Sequence, residues 1–131
     1  MTYDKQFQLA RQSVVAFVAA RDSDRAKKFY RDTLGLPLTS EELPFALVFD
    51  VNGAMPRIAI VEKLSPAPFT VLGWQVPNIT DAAKALQKAG VEFLRYPNMP
   101  QDDLGIWASP NGAKVAWFKD PDGNTLSISQ H

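Results

Sequence analysis

Apolar residues in this chain fall into two spacings. Residues 14–20 form a short, nearly unbroken apolar run, the pattern of a strand buried on both faces. Asp22 and Ser23 then offer N-caps, and Ala26, Phe29, Tyr30 and Leu34 recur at helical spacing until Gly35. A glycine just past the last periodic residue accepts the left-handed conformation that ends a helix. Residues 36–42, 45–51 and 57–62 read as three further strands, separated by turn residues at Pro44 and at 52–56.

Pro66-Ala67-Pro68 interrupts the pattern, which then begins again. Residues 69–76 read as a strand. Asn78 or Thr80 caps a helix carrying Ile79, Ala82, Ala83, Leu86 and Ala89, and Gly90 stops it. Residues 91–96 are expected to form a strand, 97–103 a polar loop, and 106–108 a short edge piece. Two β-prone runs close the chain around Asp120-Pro121-Asp122-Gly123-Asn124, a turn expected to be exposed to solvent. Its alternating Asp and Asn do not make a calcium loop. The sixth position is Thr125, not glycine, and the twelfth is His131, not glutamate.

The two halves superpose by inspection. Asp22 and Asn78, and Ala26 and Ala82, lie 56 positions apart, and Gly35 and Gly90 lie 55 apart. Repetition of order, caps and stops marks a duplicated supersecondary unit. The fold class expected is α+β: two tandem βαβββ modules, about 14–64 and 69–130, after an N-terminal arm at 1–13. Together they form a curved mixed sheet around a concave cavity, with the helices outside.

That arrangement, with Phe118-Lys119-Asp120-Pro121-Asp122-Gly123-Asn124 and Phe29-Tyr30-Arg31-Asp32-Thr33-Leu34-Gly35-Leu36, resembles the vicinal oxygen chelate superfamily. Its members include glyoxalase I, extradiol dioxygenases and bleomycin resistance proteins. The resemblance covers roughly residues 14–130 and implies a divalent metal held on the concave sheet by His, Glu or Gln. Here the matching positions carry Val15, Val71 or Leu72, and Ser127, which lack suitable donors. The chain has one histidine, His131, at its end, so a two-histidine, one-carboxylate site cannot be assembled. Glu41, Glu42, Glu62 and Glu92 are better explained as solvated strand or loop residues. The expectation is a metal-free member without a cofactor.

Strand alternation assigns faces once Val15 is placed toward the cavity. Phe17 and Ala19 then face in, as do Val71, Gly73 and Gln75 of the second module. Trp117, Ser127 and Ser129 of the hairpin join them. Trp74, Val76, Leu126 and Ile128 pack beneath the helix. Phe17 and Trp117 are expected to supply an aromatic lining and Gln75, Ser127 and Ser129 its polar points. Tyr96 and Trp107 close the rim, Trp107 being either a lid or a contact between copies. A buried, unpaired Gln75 amide would be informative, because it costs on the order of 1–3 kcal/mol.

Composition trims the alternatives. Fourteen basic and fourteen acidic residues cancel, and no basic face stands out for nucleic acid. With no cysteine there is no disulfide, zinc ribbon or thiol nucleophile. The first twelve residues hold no apolar signal core and no stretch could span a bilayer, so a cytoplasmic protein without a membrane partner is expected. The leading expectation is a protein that binds or sequesters a small, partly aromatic molecule, as bleomycin-resistance relatives do. The alternatives are a lyase, isomerase or dioxygenase with a displaced metal or a metal-free mechanism, and a partner domain with a vestigial cavity. The resemblance also implies a homodimer.

Overall fold

The computed structural model describes residues 6–131. Of the N-terminal arm at 1–13, residues 1–5 therefore lie outside the described residues. A short turn of 3-10 helix at Leu9–Arg11 leads into β1 (Val15–Ala20). The Asp22 carboxylate then accepts from the Asp24 and Arg25 amides and caps α1 (Ser23–Lys27). The helix runs on as a π-helical stretch at Lys28–Thr33, where Leu34 N–H donates to the Phe29 carbonyl five residues back. Gly35, at φ 74°, ends it, and Leu36 N–H closes the cap onto Tyr30 O.

Strands β2 (Leu38–Glu42), β3 (Ala46–Phe49) and β4 (Met55–Ile60) complete the first sheet, ordered β1-β4-β3-β2. The second module repeats it. Strand β5 (Thr70–Gln75), helix α2 (Ile79–Lys88) and strands β6 (Trp107–Ala108), β7 (Lys114–Lys119) and β8 (Thr125–Gln130) give the order β5-β8-β7-β6. In each sheet the first and last strands are parallel and the remaining pairs antiparallel. Asn78, not Thr80, caps α2, its side chain accepting from the Asp81 amide at 3.1 Å.

The core lies between sheets and helices. Val18, Leu47, Phe49 and Ile58 supply one side of it, and Ala116, Phe118, Leu126 and Ile128 the other, under Ile79 and Ala83 of α2. Of the residues expected beneath the helix, Leu126 and Ile128 are buried, and Trp74 and Val76 are half-buried against the same core.

Two expectations are corrected. Residues 91–96 make no strand; only an isolated bridge joins Phe93 to Phe118. The reason is a side chain. Gln101 accepts from the Tyr96 amide and donates to the Leu94 and Gly105 carbonyls, taking backbone groups that a ladder would need. The vacant slot in the module is filled by Trp107–Ala108.

The closing turn is not solvent-exposed either. Asp120, Asp122 and Asn124 retain only 5%, 9% and 4% of their accessible surface. The Tyr30 hydroxyl donates to Asp120 Oδ2 at 2.6 Å, and Asn124 Nδ2 donates to the Ala19 carbonyl at 2.8 Å. Asp122 Oδ1 accepts from the Arg21 amide and from Arg25 Nη2 at 3.1 Å. The last turn of module two is therefore a clasp on the strand–helix corner of module one.

Candidate functional site

The concave face of the second sheet is built by register. Gly73, Ser127 and Trp117 lie side by side across β5, β8 and β7, and Gln75, Ser129, Val115 and Trp107 form the next row. All point away from the buried Leu126, Ile128, Ala116 and Phe118, because strand side chains alternate. Tyr96 reaches this face from the loop that Gln101 braces. Its ring meets Trp117 at 87° with centroids 5.5 Å apart, and the Trp107 ring lies 6.0 Å from Trp117 at 35°. Both contacts fall in the favourable range for aromatic pairs.

Six of the seven residues assigned to the cavity from sequence thus share this face: Gln75, Tyr96, Trp107, Trp117, Ser127 and Ser129. Gln75 stands beside Ser129 but is exposed, so solvent satisfies its amide and the cost of burying it does not arise. Phe17 sits on the first sheet opposite Arg57, and 67% of its surface is accessible. Arg57 is bound to Glu42 at 2.5 Å, a contact that holds the Glu42 carboxyl below the usual carboxylate range.

Two further residues on this face acquire a role only in the fold. Alternation points Gly73 inward but says nothing of why it is glycine. A Cβ there would stand 2.6 Å from Ser127 Oγ, so glycine is what lets that hydroxyl lie across the strand. The bare floor beside Trp117 follows from it. His131 Nε2 lies 3.1 Å from Ser129 Oγ, which puts the one imidazole of the chain at the edge of the polar row. The sequence carries a signal for this: Ser127, Ser129 and His131 continue the two-residue period past the end of β8.

Donor chemistry decides whether these residues fit the divalent metal that the fold implies. Val15 and Val71 have hydrocarbon side chains, Leu72 is registered beside buried Leu126, and Ser127 offers one hydroxyl. Glu41 is engaged by Lys27 and Glu42 by Arg57, while Glu62 and Glu92 are exposed. Among the described residues no group of three or more His, Cys, Asp or Glu is placed to hold a metal ion. The buried Asp120 carboxylate is saturated by four protein donors. The residues do not fit the group.

Behind the same sheet, Trp74 of β5 and Val76 just past its end face α2 and line an apolar cleft of about 290 Å³. Trp74 and Trp117 therefore lie on opposite faces, as alternation requires.

Residues 12–128 match the model of the Glyoxalase/Bleomycin resistance protein/Dioxygenase superfamily. Several solved structures share the fold. A lactoylglutathione lyase from Agrobacterium tumefaciens is 15% identical, with a TM-score of 0.71 over 94% of this chain and 96% of its own. A glyoxalase-related enzyme from Fulvimarina pelagi is 21% identical, with a TM-score of 0.69 over 92% and 88%. A superfamily member from Sphaerobacter thermophilus is 23% identical, with a TM-score of 0.68 over 91% and 96%. No curated protein sequence is significantly similar.

Proposed function

The chain belongs to the glyoxalase/bleomycin resistance protein/dioxygenase superfamily, and from that premise we propose that it binds a planar, partly aromatic small molecule on the concave face of its second sheet. One observation carries this reading: Tyr96, Trp107 and Trp117 converge beside a floor of Gly73 and Ser127. An indole wall beside a small-residue floor suits a flat ring. Ser129, Gln75 and His131 offer hydrogen-bonding points along one edge. Binding is favoured over turnover because the donors for the family's metal are replaced by Val15, Val71 and Ser127.

A second copy of the chain fits the other sheet. Val15 and Met55 are registered partners and Phe17 lies two residues along the same face, and all three are exposed. Contiguous exposed apolar side chains of this kind support a homodimer contact.

The test of the ligand reading is a titration with planar aromatic probes, riboflavin among them, whose fused tricycle with its side chain is too large for the cleft behind the sheet. Stacking is worth on the order of 0.5–1.5 kcal/mol beyond buried area, so Trp117→Ala should weaken binding by about two- to tenfold. Trp74→Phe should leave affinity unchanged while lowering stability. The reading is overturned if no probe quenches Trp117, or if Trp74→Phe abolishes binding in folded protein while Trp117→Ala leaves it intact.

A further inference from the structure

The cleft behind the second sheet belongs to neither the concave face nor the clasp. It lies where the two modules meet on the helix side. Leu34 and Leu36 descend from the end of the first helix, Trp74 stands on β5 with Val76 just past its end, and α2 presents Ala82 and Ala85. Positions 82 and 85 are neighbours on one helical face. Leucine there would propagate the helix nearly as well as alanine and would fill the space. The open volume is thus a consequence of two small side chains, not of helix chemistry.

Its size and lining specify an occupant. The volume, about 290 Å³, is roughly twice that of the approximately 150 Å³ engineered cavity that takes up benzene. No charged side chain lines it. A protein partner fits poorly, because none of the exposed large apolar side chains of the described residues lines the cleft. Its bulky lining residues are recessed, buried or half-buried, and only Ala85 is exposed. Apolar surface that is recessed without an apolar rim suits a small molecule better than a docking protein. We propose that this cleft is a second ligand site, which takes an uncharged, largely apolar molecule of one or two fused rings.

The chain has three tryptophans, so replacing Trp107 and Trp117 with phenylalanine leaves Trp74 as the only indole. Bromobenzene, an uncharged heavy-atom quencher, should quench Trp74 emission in that protein saturably. The anion 4-bromobenzoate should not, because the lining has no cation. Ala85→Phe plugs the mouth from an exposed position and should remove the saturable component with the far-UV spectrum unchanged. Ala82→Leu should do the same from inside. A crystal soaked in bromobenzene should show the bromine between α2 and β5. The proposal is overturned by quenching that rises linearly, by equal quenching from 4-bromobenzoate, or by saturable quenching that survives Ala85→Phe in folded protein.

Discussion

Tyr30→Phe removes one oxygen from the centre of the molecule and leaves its ring in place. Tyr30 is fully buried, packed at 89° against Phe29 and 6.1 Å from Phe49. Its hydroxyl donates to Asp120 at 2.6 Å and is the one hydrogen bond to the Asp120 carboxylate that crosses between modules. A hydrogen bond to a charged group contributes about 1.5–3 kcal/mol. Asp120 keeps three other donors after the change, so no carboxylate is stranded and the lower part of that range applies. The expected loss is about 2 kcal/mol, or on the order of 5–10 °C in Tm for a chain of this length. Urea unfolding should show a lower midpoint with an unchanged slope. A double-mutant cycle with Asp120→Asn isolates the pair. The bond also has a pH signature. Burial, and then the charge of Asp120, push the Tyr30 phenol far above its ordinary value. A raised folded-state value favours the protonated form, so its contribution is fully present below the unfolded tyrosine value of about 10 and is lost as pH climbs above it. The advantage of the native chain over Tyr30→Phe should therefore shrink only in strong alkali. A variant within about 0.5 kcal/mol of the native chain at neutral pH would show that the clasp does not join the modules energetically.

Gly35 and Gly90 sit at φ 74° and 105°, and a Cβ added to either would meet nothing within 4 Å, so valine there faces backbone strain alone. Each substitution should cost roughly 1 kcal/mol or more, read as a fall in the denaturation midpoint; no change at either site would remove that glycine from the account of helix termination. Elemental analysis of purified protein should find no stoichiometric zinc, nickel, manganese or iron, because Val15, Val71 and Ser127 offer too few donors. One metal per chain, retained when His131 is removed, would contradict that.

Much of the fold could be read from local pattern because its determinants are local. Asp22 and Asn78 cap helices with their own side chains, Gly35 and Gly90 end them by their own φ, and period-two alternation put Trp74 and Trp117 on opposite faces. Each of these is decided within a few residues. Residues 91–96 failed as a strand because the competitor for their backbone, Gln101, is a side chain in the following loop, invisible to propensity.

The closing turn shows the limit most clearly. Asp, Pro, Asp, Gly and Asn correctly signal a turn, but polarity alone then argues for solvent, and the structure buries it. What decides burial is the supply of partners, and these lie about a hundred residues earlier, at Ala19, Arg21, Arg25 and Tyr30. A buried carboxylate without them would be costly, whereas Asp120 with four donors is a fixed point. The candidate site divides in the same way. Register alone placed Trp117, Ser127 and Ser129 on one face, while Tyr96 and Trp107 reach it through a loop braced by Gln101. The cleft behind the sheet lay beyond sequence reading altogether, because Leu34 and Leu36 line it from the other module. Features decided by contacts between modules require the assembled fold, and here they include the clasp and the cleft.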